Sequence, residues 1–368
     1  MSSRSLGSTT HADSGEKHTI SMFVEGDDLY DAMLADIGRA KLAIRIESYI
    51  FADDEIGSKF IEALGKASRA GVATQLRLDA AGSWGGLQRS SVARLASDGV
   101  VLRWSRPWSW RRPFTIQRRN HRKLLIVDDQ VAYLGGFNIH RHSSRRTIGD
   151  GRWRDTHMRI TGPLVLDAKA IFDKYLRRGK LWEPRDTRNV YLLPNRTPRR
   201  WDQLRSAITD RFRLARKRVW LTTPYFVPDR RSQTRLCDAA IRGIDVRLLV
   251  PGKIDIPIAQ WASRAAYARM LKAGVRIFEY QPRVLHAKTA LVDHDWGTVG
   301  TANFDYRSFF VNDELNLVAV DASFNAALAA HFEQDLAESR EVTAQLWKRR
   351  PWYAPIAETI GWWARRWL

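Results

Sequence analysis

HRKLLIVDDQVAYLGGFN, residues 121–138, and HAKTALVDHDWGTVGTAN, residues 286–303, are two versions of one pattern. Each runs His, any residue, Lys, four residues, Asp, and then closes on an Asn beyond a glycine-bearing turn. His121, Lys123, Asp128 and Asn138 thus correspond to His286, Lys288, Asp293 and Asn303 at identical offsets. On an extended chain, residues two apart point to the same face, so each His and Lys project together. The run LLIV after Lys123 suits a buried strand, Asp129-Gln130 and His294-Asp295 read as turns, and VAYLGG and WGTVG read as return strands. One such motif carries little weight; a second with the same Asp and Asn offsets marks a duplication.

The flanking sequence is duplicated too. DDLYDAMLADIGRAK spaces Leu29, Met33, Leu34 and Ile37 as a helix does, residues 42–51 read as a core strand, and EIGSKFIEALGKASRAG as a helix. A strand over 72–79, the helix SVARLASDG and the short strand VVLRW follow. RWDQLRSAITDRFRLARK, VWLTTPYF, SQTRLCDAAIRG, IDVRLLVP, AQWASRAAYARMLKAG and VRIFEY replay this order in the second half. Tyr49 pairs with Tyr225, Gly71 with Gly243 and Pro107 with Pro282, at offsets of 165 to 176 residues including the motif itself. The expected architecture is α/β: two pseudo-symmetric halves, mixed sheets flanked by helices, and a shared central cleft. The expected division is a flexible extension over 1–18, halves over 19–185 and 186–346, and a basic, tryptophan-rich segment over 347–368.

Sixty Lys and Arg against forty Asp and Glu give the 368-residue chain a charge of +20, which calls for an anionic partner, either nucleic acid or an anionic membrane surface. The single cysteine, Cys237, excludes an intrachain disulfide and a cysteine-built zinc cluster. With 44% hydrophobic residues and a mean hydropathy of −0.38, the composition is that of a folded domain. No apolar run reaches the length of a membrane span, and the first twenty residues lack an apolar signal core, so a peripheral mode of membrane association is expected. His140, His142 and His157 lack the paired ligands of a metal cluster, and no metal is expected.

Two histidines and two lysines in one cleft suit phosphodiester chemistry. A neutral imidazole can attack phosphorus and form a phosphohistidine, while a second protonates the departing alkoxide and later deprotonates the incoming alcohol. Lys123 and Lys288 would hold the phosphoryl oxygens. Asn138 and Asn303 can donate to the same oxygens or cap the glycine turns. Asp128 and Asp293 fall at the far end of the apolar strands, where a supporting role fits better than contact with a repelling phosphate. Glu47, inside a core-strand pattern, is read either as part of a polar network near the cleft or as an edge residue facing water.

The two motifs, together with IESYIF, RDTHMRITGP and NDELN, resemble the paired H-x-K-x4-D signatures of the phospholipase D superfamily, from about Val24 to the C-terminus. Within it, they look most like short-form bacterial cardiolipin synthases. The resemblance implies catalytic roles for His121, Lys123, Asp128, His286, Lys288 and Asp293, with the two Asp residues supporting. It implies histidine-orienting carboxylates at Asp155 and Glu314 and chemistry without a metal or other cofactor; of the two orders that the near symmetry leaves open, it favours His121 as nucleophile with His286 as acid/base over the reverse. It further implies a phosphatidyltransferase that forms cardiolipin from phosphatidylglycerol on the cytoplasmic face of the bacterial inner membrane. The alternatives are a hydrolase releasing phosphatidic acid and, less favoured, a nuclease or a non-catalytic membrane-binding protein.

Two surface segments bear on the partner. Arg103, Arg106, Arg111, Arg112, Arg118, Arg119 and Arg122 alternate with Trp104, Trp108 and Trp110, with no acidic residue among them. The tail carries Trp347, Trp352, Trp362, Trp363 and Trp367 beside Lys348, Arg349, Arg350, Arg365 and Arg366. Arginine forks with interfacial tryptophans fit an anionic lipid surface, and anionic phospholipid is favoured over nucleic acid, since nothing resembles a DNA-reading module. The tail reads either as an interfacial anchor or as a helix packing its tryptophans on the domain.

Overall fold

The computed structural model describes residues 9–13, 16–108, 110, 117–174, 189–195, 202–253 and 257–364. In chain order its strands are β1 (Thr9–Asp13), β2 (Glu16–Phe23), β3 (Ala43–Ser48), β4 (Ala73–Asp79), β5 (Val101–Ser105), β6 (Leu124–Val127), β7 (Val131–Gly135), β8 (His157–Thr161), β9 (Val190–Pro194), β10 (Arg218–Thr222), β11 (Phe226–Val227), β12 (Asp245–Pro251), β13 (Arg276–Tyr280), β14 (Thr289–Val292), β15 (Trp296–Gly300), β16 (Phe304–Asp305), β17 (Leu315–Val320) and β18 (Ser339–Val342). One sheet has the order β1-β2-β8-β7-β6-β3-β4-β5 and the other β18-β13-β12-β10-β14-β15-β17-β9, with β11 and β16 as a separate pair. From β2 and from β9 inward, the strands match one for one. They are antiparallel as far as β3 and β10 and parallel from there to β5 and β13, where β18 adds an antiparallel edge strand to the second sheet alone. The duplicated α/β architecture expected from sequence is present.

Alternation across the motif strands builds the layers. Leu124 and Ile126 of β6 and Leu291 of β14 face one core shared by both sheets, joined by Phe324 and Leu328 of the helix Ala322–Ala337. Leu125 and Val127 face the other way, into a core under the helices Gly26–Arg39 and Glu55–Arg69. Ala290 and Val292 do the same under Gln203–Leu214 and Arg230–Ile241. Each fully buried Leu or Ile contributes roughly 1.5–3 kcal/mol, which pins the strands that lead out of the two histidines.

Register refines one sequence equivalence. Ile44 lies opposite Val127, and Val219 opposite Val292, so Ile50, not Tyr49, occupies the place of Tyr225. By the same register, Glu47 lies beside Arg77 where the second half has Thr222 beside Leu249. Glu47 is 1% exposed and forms a buried ion pair with Arg77, whose guanidinium lies 4.0 Å from the Phe172 ring centre. The open reading of Glu47 thus resolves to a buried network with an arginine.

Asp128 closes the β6–β7 turn in a left-handed conformation (φ 53°), and its carboxylate accepts from the backbone N–H groups of Lys41, Leu42 and Ala43 at 2.8–2.9 Å. Asp293, with the same φ, accepts from Arg216, Lys217 and Arg218 at 2.7–3.2 Å. Aspartate tolerates this conformation better than most residues, and the carboxylate ties the turn to the entry of β3 or β10.

The extension drawn over residues 1–18 needs correction. Thr9–Asp13 and Glu16–Phe23 pair as antiparallel strands on the sheet edge, because ladder hydrogen bonds come from the backbone and do not require an apolar sequence. Residues 1–8 lie outside the described residues, as does the boundary between 185 and 186. At the other end, Ala354–Ala364 is a helix packed on the helix Pro257–Arg264, with Gly361 against the backbone of Trp261 and Ala262. No helix among the described residues is long and apolar enough to cross a membrane.

Candidate active site

The histidines sit where each motif strand leaves its own sheet. Ladder pairing begins only at Leu124 and Thr289. Upstream of it, the backbone bonds to the other half: His121 N–H donates to Asp313 O (2.9 Å), and His286 N–H donates to Arg154 O (2.7 Å). The resulting bridges pair Asn120 with Asp313 and Leu285 with Arg154. One residue further on, each histidine therefore meets the carboxylate that follows its partner.

These contacts cross between halves. His121 Nδ1 lies 3.0 and 2.9 Å from the two oxygens of Glu314, and His286 Nδ1 lies 2.5 Å from Asp155 Oδ2. Sequence had marked both carboxylates without deciding which histidine each serves. A carboxylate at Nδ1 accepts a hydrogen bond from Nδ1–H, which keeps the proton on that nitrogen and leaves Nε2 with a free lone pair. Glu314 is held by the Thr301 hydroxyl (2.5 Å), and its own N–H donates to Asn195 Oδ1 (3.0 Å). Asp155 Oδ1 accepts from the Thr156 N–H at 2.7 Å. Gly136 is required here, since a Cβ would fall 2.0 Å from Asp155 Oδ1.

His121 and His286 line one cavity of about 340 Å³ together with Asn138 and Asn303. Asn138 Oδ1 accepts from the Ile50 N–H (3.0 Å), an orientation that leaves its NH2 group for other acceptors. Tyr49 packs edge-on against His121 at 4.9 Å, and Trp153 lies 5.2 Å from His286. Lys123 and Lys288 are only 2% exposed, and each ammonium donates to the carbonyl of its own histidine, Lys123 at 2.8 Å. They stand behind the imidazoles rather than in the cavity wall. Asp128 and Asp293 lie at the other ends of the strands.

Burial sets the protonation of this cluster. It pushes His286 down to about 3, with the Lys288 ammonium adding to the effect and Asp155 opposing it. His121 is also lowered, chiefly by burial and against the pull of Glu314. Lys123 is pushed down to about 7 by burial and by Lys288. Burial raises Asp155, but Lys288 and His286 more than offset it and hold the carboxyl below its usual range. Burial thus favours two neutral imidazoles, each in contact with a carboxylate at Nδ1 and each with a lysine bonded to its own backbone carbonyl.

The family model described as "Cardiolipin synthase, PLD-like domain" matches residues 33–148 and 208–336, one motif in each span. The chain belongs to the phospholipase D superfamily. Within it, the chain is a cardiolipin-synthase-like member: it is 34% identical over 351 residues to cardiolipin synthase 2 of Bacillus anthracis, covering 91% of this chain and 68% of that one. It is also 31% identical over 365 residues to the cardiolipin synthase of Clostridium perfringens, covering 94% and 76%. Among solved structures, phosphatidylserine synthase of Haemophilus influenzae superposes with a TM-score of 0.72 at 14% identity over 95% of both chains. Polyphosphate kinase of Porphyromonas gingivalis superposes at 0.63 and 15%, over 92% of this chain and 52% of that one. At such identities, these two show the fold alone. Membership makes the protein a phospholipase D-type enzyme of phosphodiester transfer or hydrolysis.

Several cavity residues were not singled out as site residues in the sequence. Trp153 directly precedes Arg154-Asp155, and Asp305 and Arg307 follow Asn303 within NFDYRS. Their proximity to motif residues was the available signal. Burial raises Asp305 to about 6, with Glu314 contributing, while its carboxylate caps the short helix Tyr306–Phe310. Its positional equivalent, His140, caps the turn after Asn138 in the same way.

Proposed function

We propose that the protein is a phosphatidyltransferase that makes cardiolipin from two molecules of phosphatidylglycerol through a phosphohistidine. The observation that carries this reading is the crossed pair of histidine–carboxylate contacts in one cavity, in a chain whose relatives bear the name cardiolipin synthase. One imidazole Nε2 attacks phosphorus, the bond from phosphorus to the headgroup oxygen breaks, and the other imidazole, as imidazolium, gives its proton to that oxygen, releasing glycerol. The primary hydroxyl of a second phosphatidylglycerol then attacks phosphorus, the P–N bond breaks, and the imidazole that gave up its proton takes the hydroxyl proton. The anionic phosphate favours protonation of the acid imidazole and of Lys123, so substrate binding loads the proton that burial disfavours. Lys123 and Lys288 supply positive charge from behind the imidazoles, and Asn138 and Asn303 supply donors from the wall.

The lipid would be met at a membrane surface. Trp352 and Tyr353, in the turn just before the helix Ala354–Ala364, and Ile356, Ile360 and Trp363 on it form an apolar stripe, each at least half exposed; that helix packs against Pro257–Arg264. The latter helix contributes Ala259 to the cavity wall, so the stripe and the site share one structural unit. Trp347 instead is buried against Tyr267 at 5.2 Å. Trp104, Trp108 and Trp110 are exposed, whereas Arg111, Arg112 and the tail beyond Ala364 lie outside the described residues. The packing of Trp347 on the domain fits one reading of the tail, and the exposed stripe after it supports the interfacial one.

The test is product analysis by mass spectrometry after mixing the protein with phosphatidylglycerol vesicles. Cardiolipin and glycerol are expected. Phosphatidic acid as the main product would make the enzyme a hydrolase, and inert lipid with degraded oligonucleotide would end the lipid assignment. Changing Trp352 and Trp363 together to Ser should weaken binding to anionic vesicles by roughly tenfold while leaving thermal stability near wild type; unchanged vesicle binding would remove the stripe from the membrane contact.

A further inference from the structure

The duplicated pattern provides one phosphate station, but the proposed reaction brings two phosphates together: the one transferred and the one already borne by the acceptor lipid. Arg119 and Arg307 both form part of the cavity wall, and neither belongs to the repeated motif. At their equivalent positions the other half has Val284 and His142, so the cations break the two-fold symmetry. They converge near Tyr49, where both guanidiniums oppose the burial that raises the phenol. Tyr49 in turn packs on His121.

Arg119 is held in place rather than loosely exposed. It is 6% exposed, its Nη1 lies 3.6 Å from Asp79 and donates to Arg106 O at 3.3 Å, and its Nη2 has no hydrogen-bond partner among the described residues. Its N–H faces Asn312 Oδ1 at 3.4 Å. Arg307 Nη2 donates to Gln117 O at 2.6 Å, which ties it to the chain leading into His121. A buried guanidinium with an unfilled donor beside a polar cavity is a poor arrangement for stability and a good one for an anion.

We propose that Arg119 and Arg307 form a second anion subsite that holds the phosphodiester of the acceptor lipid while its free hydroxyl reaches the phosphohistidine. This rests on the transferase reading above and deepens it: water and neutral alcohols gain nothing from the subsite, whereas an acceptor with an anion one glycerol away from its hydroxyl is both bound and aimed. The subsite thereby selects transfer to phosphate-bearing acceptors over hydrolysis.

The experiment supplies phosphatidylglycerol vesicles as donor with two soluble acceptors in competition, deuterated glycerol and glycerol 3-phosphate, and reads deuterated phosphatidylglycerol against phosphatidylglycerophosphate by mass spectrometry. Wild type should prefer glycerol 3-phosphate, and Arg307→Gln should reduce that preference by roughly tenfold, the effect of losing one charge-assisted contact. Arg119→Lys, which keeps the charge in the buried position but loses the fork, should reduce it less. A preference unchanged in Arg307→Gln, or rates for both acceptors falling by the same factor, overturns the subsite. Failure of wild type to transfer to either soluble acceptor while it still makes cardiolipin also overturns the subsite, whereas release of phosphatidic acid with no cardiolipin would overturn the transferase reading itself.

Discussion

The stations of His121 and His286 share their backbone and differ in their surroundings. Both histidines leave their sheet, bond to the opposite half and receive a carboxylate across the interface, His121 from Glu314 and His286 from Asp155. Around His121 stand Tyr49, Arg119 and Arg307; around His286 stands Trp153. Duplication has thus reproduced the contact between imidazole and carboxylate and an aromatic ring beside each histidine, while divergence has added two arginines to the cavity wall whose equivalents are Val284 and His142. The same contrast runs deeper in the sheets, where the buried ion pair Glu47–Arg77 stands in the register positions of Thr222 and Leu249. A further difference is His157, whose ring nitrogens find no hydrogen-bond partner among the described residues and whose equivalent, Asn316, is hydrogen-bonded to Thr298 and Ala302.

The sharpest way to break the equivalence is to remove each imidazole. His121→Gln and His286→Gln should each lower lipid turnover on the order of a thousandfold or more, since each eliminates one arm of a two-step exchange. With a phosphodiester carrying a p-nitrophenyl leaving group, the variant that keeps the nucleophile should still form a covalent adduct, visible by intact-protein mass spectrometry. With His121 in that role, the adduct appears in His286→Gln and not in His121→Gln; the reverse outcome would interchange the two roles, and near-normal turnover in either variant would refute the pairing.

Transplanting the second half's residues tests the ion pair. Glu47→Thr alone leaves Arg77 buried without its carboxylate and should cost about 3–5 kcal/mol of stability, read by denaturant unfolding. Adding Arg77→Leu should recover most of that loss, because a buried pair replaced by apolar residues is often neutral. A double variant no more stable than the single one would show that the first sheet cannot accept the second sheet's solution.

The crossed carboxylates come next. Glu314→Gln and Asp155→Asn should each reduce turnover by roughly a hundredfold, with the loss mainly in kcat, because the tautomer is no longer fixed while the imidazole remains. An effect confined to KM would argue against an orienting role.

The smallest effect concerns acid. His157 and His286 sit near 3 in the folded protein against about 6.5 when unfolded. Between those values the unfolded chain binds more protons, so stability falls as pH drops from about 6.5 toward 3. His157→Asn, the residue of the second half, should flatten that slope by up to about 1.4 kcal/mol per pH unit. An unchanged slope would mean that His157 does not titrate differently on folding.

Much of this was legible in the chain because it depends on local spacing. The interval from His121 to Asn138 repeats from His286 to Asn303, and the apolar LLIV run announces a strand buried on both faces. The pairing of Thr9–Asp13 with Glu16–Phe23 was not legible, because it is backbone-made and the sequence of Thr9–Asp13 is polar. Glu47 was ambiguous for a related reason: an acidic residue in a strand is intelligible only when its neighbour across the ladder, Arg77, is known.

By itself, the sequence determined that there are two copies of one α/β unit and that each brings a histidine, a lysine and an asparagine, since these follow from periodicity and repetition along the chain; Asp155 and Glu314, which differ in spacing from their motifs, were marked only by the family resemblance. Only the tertiary structure decided that the carboxylates cross over, that the lysines stand behind the imidazoles, and that Arg119 and Arg307 share a wall with both histidines. The crossing depends on how two sheets meet, and the histidine–carboxylate contacts that fix it join residues 193 and 131 positions apart, a separation at which local spacing carries no information.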